Sequence, residues 1–219
     1  MEFFNSFLAF DIQILPYIII SLMIAFTVHE FAHAYVAYKF GDPTAKRQGR
    51  LTLNPSVHLD PLGTIFLLLF GFGWARPVPV NRFNFKNPRL AGILTSVAGP
   101  LSNLLMAFIG GFILLVIAGL GDGPILNFIF SLCFWFIYLN VLLFVFNLIP
   151  IPPLDGYRIV SDLLPNETRA KLSQYEIYGV LIFLVLVLVK PLYNVTIGPI
   201  LGLVPRLTEW IILFYGGLF

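Results

Sequence analysis

The chain has 219 residues, 58% of them apolar and 16% aromatic but only 11% charged, with a mean hydropathy of +0.90. Soluble domains average about 25% charged residues, so an ordinary soluble fold is excluded and an all-α polytopic membrane protein is indicated. The net charge of +2 comes without a basic patch interleaved with aromatics, and no nucleic-acid partner is expected. Cys133 is the single cysteine, which excludes an internal disulfide and a thiolate-rich zinc site.

The first long apolar run covers residues 12 to about 38, with Pro16 near its start, where a missing amide hydrogen costs nothing, and Gly41-Asp42-Pro43 at its end. The region before it lacks the charged start and small-residue cleavage site of a secretory signal, so this span is expected to be retained. The next run, residues 65–74, is too short to cross about 30 Å of hydrocarbon and is bounded by Pro61 and Pro77. It is expected to form a re-entrant hairpin packed against protein. Full spans are expected at about 90–120 and 125–149, joined by Gly121-Asp122-Gly123-Pro124. A polar segment follows over 151–174, then a span at about 177–189. A weaker last segment, 200–218, is interrupted by Pro205, Arg206 and Glu209. Arg206 and Glu209, three residues apart on one helix, are expected to pair. The whole reads as about five to six transmembrane segments plus a re-entrant hairpin in one integral-membrane domain, 1–219. Its core spans about 12–165 and its closing spans about 175–219.

Basic residues set the orientation. Lys39, Lys46, Arg47 and Arg50 follow the first span; Arg76, Arg82, Lys86 and Arg89 precede the next full one; Arg158, Arg169 and Lys171 lie in the later polar segment. The hinge at 121–124 carries no Lys or Arg. If residues 65–74 dip in and return on the same side, all three clusters face the cytoplasm and the hinge faces outward. A multi-pass protein of the cell membrane is expected.

Within the first span lies His29-Glu30-Phe31-Ala32-His33. On a helix, H-E-x-x-H sets two imidazoles one turn apart on one face, able to share a zinc ion, with the glutamate placed as general base toward water. Ionisable groups at membrane depth cost about 2.5–3.5 kcal/mol each on insertion scales, so such a cluster marks a functional site. The pair lies about 8–14 Å from the cytoplasmic end of its helix at 1.5 Å rise per residue.

A catalytic zinc site needs a third protein ligand. The candidates are His58, Asp60, Asp155, Asp162 and Glu176. Asp155 stands out, because it follows Asn147-Leu148-Ile149-Pro150-Ile151-Pro152-Pro153-Leu154, where proline forces the chain out of helix at membrane depth. Its bland alternative is an N-cap for the next helix. His58, about 25 residues past the pair, could coordinate metal, line the site, contact substrate, or brace its loop through Asp60.

These motifs resemble the site-2 protease family of intramembrane zinc metalloproteases, specifically a small prokaryotic member without PDZ or CBS domains. The resemblance rests on H-E-F-A-H, on Gly99-Pro100-Leu101-Ser102-Asn103, on Asn147 to Gly156, and on the loop from Arg50 to Thr64. It implies His29, His33 and Asp155 as ligands of one zinc, Glu30 as catalytic base, and a three-span core beginning near residues 12, 90 and 125. The implied function is zinc-dependent endopeptidase cleavage within or near transmembrane segments of a membrane-protein substrate, that is, regulated intramembrane proteolysis.

Asn103 and Asn147 are the nearest neutral donors on neighbouring spans, placed to hold a substrate strand or an oxyanion. Asn103 could equally make an interhelical hydrogen bond. A zinc-binding transporter or sensor without catalysis is the alternative. It should show polar groups through both leaflets, whereas here they gather toward one side.

Overall fold

The computed structural model describes residues 10–70 and 73–217. Helix α1, Leu15–Lys39, begins with proline in its first turn and stops at Gly41, whose φ of +105° lies in the left-handed region that glycine tolerates. A single turn, α2, Thr44–Arg47, leads into a loop with a 3-10 turn at Pro55–Val57, capped by the Asn54 side chain. Helix α3, Pro61–Phe70, then rises from this loop, and an antiparallel bridge between Leu59 and Ala75 brings its two flanks together. The expected hairpin at 65–74 therefore closes on itself, starting and returning at one end. The backbone runs on without helix to a 3-10 turn at Arg82–Asn84.

The two longest apolar runs form α4, Pro88–Ala118, and α5, Pro124–Asn147. Helix α4 is capped by Asn87 and carries Pro100 inside it, so Gly99-Pro100 does not end the helix. Two short helices follow α5: α6, Asp155–Leu163, and α7, Asn166–Gln174. The chain ends in α8, Glu176–Leu188, α9, Lys190–Val195, α10, Ile197–Leu201, and α11, Leu203–Gly216.

Among the described residues, four stretches are long and apolar enough to cross a membrane: Leu15–Lys39, Pro88–Ala118, Pro124–Asn147 and Ile197–Gly216. The count becomes five if α7 and α8, bent by 62°, form one span. The all-α polytopic fold is thus as expected. The segment expected at 177–189 is α8, whose 13 residues reach only about 20 Å at 1.5 Å per residue. The weak last segment, Ile197–Gly216, is 20 residues long and apolar enough to cross. Arg206 and Glu209 are both exposed and do not pair with each other.

Helix α4 packs against both α1 and α5, α1 packs on α5, and α11 lies against α4 and α5. Ile18, Leu22 and Ala25 of α1 meet Leu139 and Leu143 of α5, while Ala107, Ile137, Val141, Val204 and Ile211 join α4, α5 and α11. Lipid is as apolar as these side chains, so close approach rather than water exclusion holds such helices together. Gly111 shows it: a Cβ there would lie 2.8 Å from the Tyr215 ring. A third cluster, Ile149, Leu154, Phe183 and Ile197, sits where α5 ends. That end is where the polar residues converge.

Candidate metal centre

Helical spacing places His29 and His33 on the buried face of α1, and their rings meet edge to face with centroids 4.6 Å apart. The third group comes from the break after α5. There Ile149, Ile151 and Leu154 follow one another in tight turns, with the Ile151 amide donating to the Ile149 carbonyl and the Leu154 amide to the Ile151 carbonyl. These turns deliver Asp155 to the start of α6. Gly156 is what lets the turn close, since a Cβ on it would lie 2.3 Å from the Leu148 carbonyl oxygen. Helix α6 has no side-chain cap, so the Asp155 carboxylate is not consumed as an N-cap. It faces the histidines.

The His29 and His33 Nε2 atoms are 3.0 Å apart, and Asp155 Oδ2 lies 3.2 Å from the first and 3.1 Å from the second. A tetrahedral zinc with bonds of about 2.0–2.2 Å holds its ligand atoms about 3.3–3.6 Å apart, so the triangle needs only slight opening. Proton bookkeeping strengthens the fit. His29 Nδ1 lies 2.6 Å from Asn103 Oδ1, and His33 Nδ1 lies 2.6 Å from the Thr95 carbonyl oxygen. Both partners are acceptors, so each Nδ1 carries its hydrogen and donates. A neutral ring then turns an unprotonated Nε2 inward. Two imidazole lone pairs and a carboxylate oxygen facing one point form a donor set that suits a divalent cation. Among the described residues, this is the one group of three such side chains within metal-ligating reach.

Three features that motif reading alone does not supply hold this geometry. Gly99 of α4 is the first: a Cβ on it would sit 2.3 Å from His33 Nε2 and 2.6 Å from His29 Cε1. The glycine of the G-P-L-S-N motif is therefore the space the two rings occupy. The second is an amide chain across three helices. Asn103 Nδ2 donates to the Ala25 carbonyl at 3.3 Å and to Asn140 Oδ1 at 3.0 Å. Asn140 in turn donates to the Phe136 carbonyl at 2.8 Å. Both asparagines are fully buried. The clue to Asn140 was an amide in mid-span, seven residues before Asn147 on the same helical face.

The third feature fixes Glu30. Its Oε2 accepts the Val78 backbone N–H at 2.8 Å. The stretch carrying Val78 is tied down at both sides: the Arg50 guanidinium donates to the Arg76 carbonyl, and Asp42 accepts the Asn81 N–H at 2.6 Å and the Asn84 amide at 2.7 Å. A cavity of about 350 Å³ is lined by His29, Glu30, His33 and Asp155 together with Trp74, Ala75, Pro77, Val78, Asn147 and Phe183.

The remaining sequence candidates divide. Asn147 lines this cavity and donates one amide hydrogen to the Leu143 carbonyl at 3.0 Å, which leaves one N–H. Asn103 lies behind His29 with both amide hydrogens and its oxygen engaged. His58 is fully buried and lies apart, its Nε2 2.8 Å from the Thr52 carbonyl; it braces the loop through Thr52, not through Asp60. Asp60 instead caps α3 by accepting the Gly63 N–H at 2.8 Å. Asp162 pairs with Arg82 and Arg169.

Comparison with known proteins agrees with this geometry. The model for peptidase family M50 matches residues 17–189, which includes the histidine pair and Asp155. The chain is 57% identical over 201 residues to a candidate zinc metalloprotease of Bacillus subtilis, YwhC, covering 90% of this chain and 91% of that one. It is 32% identical over 182 residues to the candidate zinc metalloprotease Rip2 of Mycolicibacterium smegmatis, covering 81% and 68%. A further candidate zinc metalloprotease, MJ0611 of Methanocaldococcus jannaschii, is 31% identical over 166 residues, covering 74% and 78%. No solved structure matches the chain. The transporter or sensor alternative gives way to an enzyme: the chain belongs to peptidase family M50, the site-2 protease family, and is a multi-pass zinc metalloprotease.

Proposed function

We propose that the protein is an intramembrane endopeptidase that cuts other membrane proteins within or near their transmembrane segments, with its site toward the cytoplasmic side of the cell membrane. The observation that carries this reading is the His29, His33 and Asp155 triangle, set on a spanning helix beside Glu30 in one cavity. The positive-inside distribution of Lys and Arg supports the orientation.

Zinc, when bound, supplies Lewis acidity toward a carbonyl and lowers the pKa of water toward 7. The protein side of the reaction falls to few groups. His29, His33 and Asp155 hold the metal, and Asn103 and Thr95 orient the two rings through their Nδ1 hydrogens. Glu30, aligned by the Val78 N–H, takes the proton of the attacking water and delivers it to the leaving amine. Asn147 offers its remaining N–H to the substrate carbonyl or to the charge that develops on it. A helical substrate keeps its carbonyls in its own hydrogen bonds, so it must unwind at the point of cleavage.

The test is cleavage of a panel of single-span reporter proteins by purified wild type and Glu30→Gln, with zinc counted in both. Cleavage by wild type alone, with about one zinc per chain in each, is expected. Equal cleavage by both proteins would remove Glu30 from the chemistry.

A further inference from the structure

A second pocket, of about 460 Å³, lies between α6 and α7, and Arg82, Arg158 and Arg169 line its wall. We propose that it binds a phosphate group, and that this group belongs to the headgroup of an anionic phospholipid. Its basic character is built rather than incidental. Asp162, fully buried, sits against α4 at Gly92, where a Cβ would lie 2.3 Å from Oδ2. Its other oxygen, Oδ1, takes both Arg82 and Arg169. One carboxylate oxygen thus positions two guanidinium groups and uses only one donor from each. Arg158 is exposed, makes no ion pair among the described residues, and stands one helical turn before Asp162. Glu176 is on the wall and Asp162 lies buried behind it, so three guanidinium groups are set against two carboxylates and the pocket keeps a net positive charge.

Several guanidinium forks converging on one space suit a tetrahedral oxyanion better than a lone carboxylate. The surroundings favour lipid as its source. Helix α6 begins eight residues after the spanning α5 ends. It carries Arg158, Ser161 and Asp162 on one side and the exposed Val160 and Leu163 on the other. Tyr175, at the junction of α7 and α8, is also exposed. A polar pocket edged by apolar side chains at the end of a membrane span can hold a headgroup while acyl chains run along its rim. Arg82 and Arg158 also line the metal cavity, so an occupant of this pocket would steady part of that cavity's mouth.

The test uses the zinc-loaded protein in neutral detergent, equilibrated with equal amounts of phosphatidylglycerol and phosphatidylcholine, with retained lipid counted by native mass spectrometry. Wild type should retain the anionic lipid in at least tenfold preference. Arg158→Gln, which removes no ion pair of the fold, should cut that preference severalfold, and Arg158→Gln with Arg169→Gln should abolish it at unchanged zinc content. A parallel titration with inorganic phosphate separates the sources. Phosphate that binds wild type but not the double variant, with no lipid preference, keeps the phosphate site and assigns it to a free anion. Equal retention of phosphatidylglycerol and of phosphate by wild type and both variants would overturn the proposal. So would displacement of the lipid by an acidic peptide but not by phosphate. The readout involves no peptide cleavage, so it fails or succeeds independently of the proposed protease activity.

Discussion

The α1–α4–α5 core and helix α8 both line the metal cavity but are held in different ways. In the core, hydrogen bonds made by side chains cross from helix to helix: His29 to Asn103, Asn103 to Asn140, and His33 to the Thr95 backbone carbonyl. Gly99 lets the backbone of α4 close on both rings. Helix α8 buries Phe183 alone, in apolar contact with the cluster at the end of α5, and Ile177, Leu181, Ile182 and Leu188 are exposed. Surrounded by lipid, a Leu gains little by exchanging lipid contact for protein contact. Polar links and small-residue contacts therefore specify position, and apolar side chains only fill it.

The sharpest way to break this contrast is Gly99→Ala. The added methyl collides with His33 Nε2 and His29 Cε1, so zinc affinity should fall about 100-fold or more and cleavage should be lost with it. Titration against a competing chelator measures the first directly. Zinc binding at the wild-type level would mean that α4 can retreat and that the core is less tightly specified than its hydrogen bonds suggest.

Asn140→Leu is the next largest. It preserves volume but leaves Asn103 Nδ2 short of one acceptor, so the Asn103 amide can turn and offer nitrogen rather than oxygen to His29. Outer-shell partners of a metal site are worth about 10- to 100-fold in affinity, and about tenfold is expected here, since Asn103 keeps the Ala25 carbonyl. Unchanged zinc affinity in a folded variant would reduce Asn140 to packing.

The core and the closing segment also differ in how much of them could be read from sequence. The limits of α1, α4 and α5 follow from long apolar runs with proline near each start, and the expected spans fall within a few residues of them. The three side chains that meet at the candidate metal centre were readable because the H-E-x-x-H spacing and the proline-broken segment carry local meaning. Asp42 was read only as part of a stop signal, although it accepts hydrogen bonds from residues 39 and 42 positions away. The link from Val78 to Glu30 joins residues 48 apart, and a backbone N–H leaves no mark in composition. The limits expected for α8, 177–189, fall within a residue of the helix, but an apolar run shows that lipid is tolerated, not that the helix crosses it.

Asp42→Asn sharpens the contrast at the core's edge. Burial pushes the Asp42 carboxyl up, but hydrogen bonds from Thr44, Asn84 and the Asn81 backbone outweigh it and hold it below the usual carboxylate range. A depressed folded value means that its contribution is complete above the unfolded value of about 3.9 and is lost as pH falls through the folded one. Asparagine would set an NH2 against donors, at a cost of about 1–3 kcal/mol. Thermal unfolding in detergent should show the variant less stable near pH 7. The gap should narrow below about pH 4, where wild type loses the same contribution. A gap that stays constant into acid would show that the Asp42 charge has no part in anchoring the stretch that aligns Glu30.

The smallest effect is expected on the exposed face of α8. Leu181 and Ile182 are 53% and 56% exposed, so each shortened side chain leaves mostly lipid or detergent contact rather than a cavity. Leu181→Ala and Ile182→Ala should therefore change stability by less than about 0.5 kcal/mol and leave zinc affinity unchanged. Phe183→Ala is the matched control, since its ring is 2% exposed, packs against Phe146 with centroids 5.8 Å apart and lines the metal cavity. It should cost about 3 kcal/mol or more. If all three substitutions cost alike, the outer face of α8 is covered by something other than lipid, and α8 is as firmly placed as the core.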